Sequence, residues 1–352
     1  MATRFPDVPA PSDAVAPRPL KRKRVRPADA IFFGGVLAAV LIALGVLVWL
    51  LASILVQGLP ALDWQFLTDK TSSNPERAGF NSSIRVTFVL MVITFAIAIP
   101  LGFSAALYLE KFAATSRDQL MSVARSRERR LRDLRARGAS APRVVLAVAS
   151  VHGARAWARI GPPLNRIIDV NISNLAAVPS IIYGLLGLAM FVSIVGLQKN
   201  TLAGGLTLAL LVLPIIIIAS REAIKAVPVS IEQGAMALGA TRWQAVSRQV
   251  FPAALPGMLT GTILAMSRAI GEAAPLIVVG GIVFATQTPS INPFASDDTP
   301  LLAMPLQIFF WAGDPREEFR QLAAAGIIVL LGTLVVMNLI AIFLRNKFSR
   351  RW

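Results

Sequence analysis

Two opposite charges sit inside an otherwise apolar run. Arg268 and Glu272 fall within Pro256–Val283, while the other long apolar stretches carry no charge. A charged side chain at bilayer depth costs on the order of 2.5–3.5 kcal/mol on insertion scales. Four residues apart, the two would share one helix face and partly neutralise each other. One consequence is structural: an ion pair lets a polar face pack inside a bundle. The other is chemical. A guanidinium stays charged, and its planar fork suits phosphate oxygens. Arg268 could then meet an anionic substrate while Glu272 holds it in place or repels anions until the pair rearranges.

A second constellation occupies Ala226–Pro252, AVPVSIEQGAMALGATRWQAVSRQVFP. Polar residues run through it, so it is not a span. Ser230 with Gln233 and Thr241 with Gln244 read as capping boxes. Gly239 lies between them, where a helix stop wants positive φ, and Pro252 closes the second piece. The pattern predicts two short helices joined by a tight glycine turn and folded against the membrane. Gly234 and Ala235 lie beside Met236, Leu238 and Trp243. Such a helix can dock as a knob in a partner's groove, or lie on lipid with Trp243 at headgroup depth.

These residues need elements to hold them, and composition says which. The chain has 352 residues, 55% hydrophobic and only 15% charged, where a soluble domain carries about a quarter. Six runs reach the ~20 apolar residues a helix needs to cross, at about 31–56, 86–109, 174–198, 201–220, 256–283 and 321–344. The connections then alternate. Residues 1–29, 110–169, 221–248 and 345–352 hold 28 Lys/Arg against 10 Asp/Glu; the opposite connections hold 6 against 8. The positive-inside rule places both termini in the cytoplasm, in a cell (inner or plasma) membrane. The basic run Lys21–Arg24 precedes an apolar stretch too long for a signal core, so it reads as an uncleaved first helix. Residues 1–29, with a Pro- and Ala-rich start, read as a disordered cytoplasmic tail. There are no cysteines and one histidine, which excludes disulfides, thiolate chemistry and a multi-His metal site. No metal site and no cofactor are expected. Nor is there a G-x-x-x-x-G-K-[ST] loop, so the chain is not expected to hydrolyse ATP or to be an enzyme. The net charge of +16 follows from topology, and no nucleic-acid partner is expected.

Aligned on Gly239, the loop resembles the "EAA" loop of ABC-importer permeases. Gln233-Gly234-Ala235 falls on the E-A-A triplet, and Gln249, Phe251 and Pro252 on the closing I-x-L-P. Gln233 stands where the family has glutamate, and Glu232 is one place off. Arg268-Ala269-Ile270-Gly271-Glu272, continued by Ala274-Pro275-Leu276, looks like the phosphate-importer branch, PstA type. So do Asn171–Leu175, Val178–Leu185, Pro100-Leu101-Gly102 and Tyr108-Leu109-Glu110. The resemblance implies an all-α, six-span permease domain of the type I importer kind, over 30–112 and 166–345. It implies that residues 226–252 form a coupling loop that inserts into an ATPase subunit, with Glu232, Gln233, Gly234, Ala235, Gly239 and Pro252 in it. It makes Arg268 and Glu272 candidates for the substrate pathway. Implied partners are a PstC-type permease, two copies of a PstB-type ATPase, an extracytoplasmic phosphate-binding protein touching loops 63–85 and 284–320, membrane lipid, and inorganic phosphate as cargo. The implied function is ATP-driven phosphate import by alternating access. Permeases for phosphonate, sulfate or molybdate, and a stand-alone secondary transporter, stay open as alternatives.

Residues 113–165 depart from that family and read as a basic cytoplasmic insertion. Arg125–Arg137, RSRERRLRDLRAR, is built of helix formers. It fits a solvated helix on anionic lipid or a regulatory surface.

Overall fold

The computed structural model describes residues 27–113, 117–138, 140–280 and 301–348. Most of the tail 1–29 and the end of the fifth expected span lie outside the described residues. The described elements are all helical. Residues up to Ser53 form one unit, whose described part belongs to α1 (Pro27–Gly58); Ile54 onward forms a second.

The second unit opens with α2 (Trp64–Thr68), capped by Asp63, which accepts from the Phe66 amide at 2.6 Å. Then come α3 (Asn81–Leu107), prolonged by a π turn at Tyr108–Phe112, α4 (Arg117–Ala136) and α5 (Ala141–Ala176). Next are α6 (Ser180–Gly187), prolonged by a π segment at Leu188–Ile194, and α7 (Thr201–Lys225). The polar loop holds α8 (Val229–Ala237) and α9 (Arg242–Ala245). A π turn at Val246–Val250 leads into α10 (Phe251–Ile270), followed by α11 (Ala274–Val279), α12 (Met304–Ala312) and α13 (Glu317–Phe348).

Five stretches are long and apolar enough to cross a membrane: Ile31–Ala61, Asn81–Phe112, Thr201–Lys225, Arg242–Ile270 and Glu317–Lys347. A sixth stretch passes only as a bent pair, which fits a broken span or a re-entrant loop. The run expected at 174–198 is not a single helix. Ile160–Ala176 and Ser180–Ile194 meet at 109°, because Val178 precedes Pro179 and that position disfavours α backbone. The fifth run is broken too. α10 stops at Ile270, capped by Gly271, and the chain restarts at Ala274 with Pro275 in the first turn of α11. Pro252, expected to end the short loop helix, does not; α9, the π turn and α10 run on through it. A proline lacks the amide that a continuous ladder needs, and the wide turn just before it is a place where that ladder is already re-registered.

α7 is the hub of the bundle. Leu208, Val212 and Ile216 on it are fully buried, together with Leu90 of α3 and Met258 of α10. Gly261 of α10 lies so close to Ala219 of α7 that a Cβ there would clash. Small residues at such crossings let backbones approach and gain the dispersion contact that holds helices together in lipid.

α4 and α5 form an antiparallel hairpin. Ala124 and Val151 are buried, and Arg127 donates to the Ser150 carbonyl at 3.1 Å. Gly138, with φ of +65°, ends α4. The hairpin flows without interruption into the helix that reaches Ala176, so residue 165 marks no structural boundary.

The end of the bundle built from α2, α12 and the start of α13 is sealed by aromatics. Phe66 stacks on Phe80 at 5.3 Å between centroids, Trp311 lies 5.7 Å from Phe80, and Phe319 lies 6.0 Å from Trp311. Gln307 binds Ser83 and the Gly79 carbonyl, and the Met304 amide donates to Thr87 at 2.8 Å.

Candidate coupling loop and intramembrane charge pair

The loop is built much as its residues dictate, with one exception. Thr241 caps α9, and its reciprocal box with Gln244 is complete, at 3.3 Å and 2.8 Å. Gly239 takes φ of +90°, which an L side chain adopts only at a cost of about 1–2 kcal/mol. Ser230 caps nothing. α8 starts earlier, after Pro228, and Ser230 and Gln233 both lie inside it. Proline pre-sets φ for a helix start, so no side-chain cap is needed.

Glu232 is the anchor. It is 8% exposed, and its carboxylate pairs with Lys111 at 2.9 Å and Arg242 at 3.7 Å. Lys111 belongs to the π turn that ends α3. Its neighbour Phe112 packs on Trp243 at 5.9 Å between ring centres, with the Arg242 guanidinium 5.7 Å from the Phe112 ring. The loop is thus fastened to the end of α3 by a salt bridge, an aromatic contact and a cation–π contact. A second network lies beside it: Arg221, in the last turns of α7, reaches Asp169 of α5 at 2.7 Å and Glu110 of the π turn at 3.4 Å.

The remaining loop residues face outward. Gln233 and Gly234 are exposed and Ala235 is half-buried; Leu238 is 92% exposed. A Cβ on Gly234 or Gly239 would meet nothing within 4 Å. A hollow of about 410 Å³ beside the turn is lined by Ala235, Leu238, Gly239, Gln244, Arg248 and Gln249. Pro252 is exposed on the first turn of α10. An outward knob with a rigid base is the arrangement a partner's groove can grip.

Arg268 and Glu272 do come together, but not on one helix face. Arg268 sits in the last turn of α10, while Glu272 lies beyond the cap. Their charged atoms are 3.7 Å apart, with the Arg268 side chain 47% exposed and that of Glu272 19%. That is an ion pair too long for a hydrogen bond. Among the described residues the guanidinium has Glu272 as its charged partner. Tyr183 donates to the Leu175 carbonyl at 2.7 Å, across the bend between α5 and α6. Gly184 next to it touches Pro275 and Val278 so closely that a Cβ would clash. The helices that follow the two breaks, α6 and α11, are therefore packed on each other, and the charge pair lies at the second break, 271–273. Irregular backbone at membrane depth is tolerated where protein or a water-lined cavity satisfies it. On the neighbouring residue, Ser267 donates to Asn338 of α13 at 3.0 Å.

Sequence reading missed Lys111, Phe112, the Arg221–Asp169–Glu110 network and Asn338. Only a basic residue at the end of a span hinted at Lys111. Among the described residues no group of His, Cys, Asp and Glu is arranged to hold a metal.

Residues 146–352 match the family described as "Binding-protein-dependent transport system inner membrane component". The chain is 28% identical over 332 residues to the "Probable ABC transporter permease protein YqgI" of Bacillus subtilis, covering 90% of this chain and 94% of that one. It is 27% identical to the phosphate transport system permease protein PstA of Mycobacterium leprae, covering 87% and 84%. It is 26% identical to PstA of Pasteurella multocida, covering 88% and 91%. The inward-facing MetNI methionine ABC transporter is similar in structure with a TM-score of 0.48 and 16% identity, covering 77% of this chain and 95% of that one.

Proposed function

The chain belongs to the family of binding-protein-dependent transport system inner membrane components, and from that premise we propose that it is the permease subunit that carries inorganic phosphate into the cytoplasm. Phosphate is supported by near-full-length similarity to PstA permeases and by a chemistry that fits it, a fork-shaped cation at the break between α10 and α11. The end bearing the Gly239 loop faces the cytoplasm, a reading supported by the 28-to-6 division of basic residues. Both termini lie there with it. The aromatic end faces outward, toward a phosphate-binding protein. A PstC-type permease completes the pathway, and two PstB-type ATPase copies grip the coupling loops. This chain is the moving wall of the pathway rather than an enzyme.

The single observation that carries the coupling role is the loop itself: exposed at Gly234, Leu238 and Gly239, yet fixed at Glu232 to the end of α3. A knob rigidly tied to a span can transmit a push; a loose one cannot. Closure of the ATPases would move α8, and through Lys111 and Phe112 the end of α3. Residue roles follow. Glu232 anchors, while Gln233, Gly234, Ala235 and Gly239 face the ATPase. Pro252 leads the push into α10, whose far end carries Arg268. There Arg268 receives the anion, and Glu272 competes with it for the guanidinium.

Vesicles holding the complex, its binding protein and ATP should take up labelled phosphate, with arsenate but not sulfate competing. Competition by sulfate alone would replace phosphate with another oxyanion, and uptake without any ATPase would replace the importer with a secondary transporter. Arg268→Ala should lower uptake at least about tenfold, the value of a lost charge-assisted contact, while the complex still assembles. Normal uptake would remove Arg268 from the pathway, and lost assembly would make the pair structural.

A further inference from the structure

The α4–α5 hairpin has two unassigned surfaces. The first is charge. Seven arginines run from Arg125 to Arg137 along α4 and the turn after it, against Glu128 and Asp133, and all seven are exposed. The second is apolar. Leu146, Ile160, Leu164 and Ile167 of α5 are 71%, 58%, 38% and 58% exposed. Their spacings of 14, 4 and 3 residues put them on one stripe of the helix. The hairpin's location is set by Asp169 of α5, bound at 2.7 Å to Arg221 at the loop end of α7. Its direction is set by the 109° break after it. The arm beyond the break, Ser180–Ile194, carries no charge and suits the hydrocarbon core. The Ile160–Ala176 part of α5, with Arg166 and Asp169, meets that arm at 109° and so fits a course along the boundary.

We propose that this hairpin is a membrane-surface module, with the α5 stripe seated in the cytoplasmic leaflet and the α4 arginines holding anionic phospholipid headgroups. The inference rests on the orientation given above, with the Gly239 loop on the cytoplasmic side. Charge complementarity selects lipid as the occupant. The cytoplasmic leaflet is anionic, attraction accrues with each basic residue near it, and an apolar stripe on one helix beside an arginine-rich neighbour combines the two attractions that bind an interface. The module would make the transporter responsive to the anionic lipid content of its membrane, a property that the coupling loop and charge pair do not supply.

Because the chain contains no cysteine, Leu146→Cys and His152→Cys give single labelling sites on the stripe and off it. The full complex is placed in vesicles of phosphatidylcholine with or without phosphatidylglycerol, and bimane labels are quenched by headgroup-proximal doxyl lipid. The Leu146 site should be quenched about threefold more than the His152 site, only with phosphatidylglycerol, and less at high salt. Arg129→Gln, Arg130→Gln, Arg132→Gln and Arg135→Gln together should abolish that difference in a complex that still assembles. Equal quenching in neutral and anionic vesicles would overturn the proposal. So would shielding of Leu146 that appears only when the ATPase is added, which would assign the surface to a protein. An impermeant maleimide added outside right-side-out vesicles separates the two readings: labelling from outside would overturn the orientation itself.

Discussion

The two ends of this bundle are closed by different chemistry. The aromatic end is joined by Phe66, Phe80, Trp311 and Phe319 around α2, α12 and α13, with Phe80 and Phe319 fully buried. The loop end is joined by charges: Lys111–Glu232–Arg242 and Glu110–Arg221–Asp169. Stacked rings interlock in one arrangement, and separating them exposes area that nothing else there can cover. Ion pairs tolerate an ångström or two of movement before the attraction is lost, and Lys111 and Glu232 are largely shielded from solvent, with side chains 12% and 11% exposed. A transporter that receives cargo at one end and force at the other gains from that asymmetry. On the proposed function, the end that receives cargo keeps its shape, and the end that takes the ATPase's push moves together with α3.

The largest expected effect that tests this contrast is at the driven end. Gly239→Arg forces a side chain onto φ of +90° and fills the open surface beside it. ATPase copurification should vanish, and uptake with it, while the aromatic end keeps its thermal stability. Retention of both activities would mean that the knob is not what the ATPase grips.

Phe80→Ala comes next and should do the reverse. Removing a fully buried, stacked ring costs about 3–5 kcal/mol, read as a lowered unfolding midpoint in detergent, with ATPase capture kept. A loss of capture at equal fold would show that the two ends are not independent.

Glu232→Gln is milder, about 1–3 kcal/mol for a half-buried cation left without its partner. Its mark is functional: ATP turnover should lose its dependence on the binding protein. Lys111→Glu and Glu232→Lys should each uncouple, and the double exchange should restore coupling. If the exchanged pair stays uncoupled, the bond to α3 is not the strut.

The smallest effect concerns acid. At the aromatic end, hydrogen bonds from Arg316 hold the Asp314 carboxyl down from 3.8 to about 2. A depressed carboxyl adds stability above its unfolded value and gives it up as pH falls through the folded one. The Asp314 contribution is therefore constant from pH 8 to about 4 and fades between 4 and 2. Tryptophan fluorescence of Asp314→Asn should show no pH difference from the parent protein above pH 4; a difference between pH 5 and 7 would place another titrating group at that end.

Most of the architecture was legible as hydropathy. α3, α7 and α13 stand where charge-free runs stand, since length and apolarity are what crossing requires. Hydropathy measures what a segment touches and not which way it points, so the turns hidden in apolar runs at Pro179 and Gly271 passed as continuous helix. The same loss of direction put Glu272 on the face of Arg268. Local grammar did well where it had no competitor, at Thr241–Gln244, and failed at Ser230, where Pro228 had already started the helix. The choice between Glu232 and Gln233 as anchor was beyond reach, because the deciding residue, Lys111, is 121 positions away.

The π turn at Tyr108–Phe112 sets the phase of that fastening. Such a turn holds one residue more than its α-helical equivalent, and one residue of α-helix is about 100° of rotation. Lys111 and Phe112 point at Glu232 and Trp243 only because that extra residue has been spent. Deleting it would leave every partner present, every charge balanced and the span long enough, yet would turn the strut about a quarter revolution off its socket. If the loop couples as proposed, helix register is as much a part of the coupling as the side chains it aims.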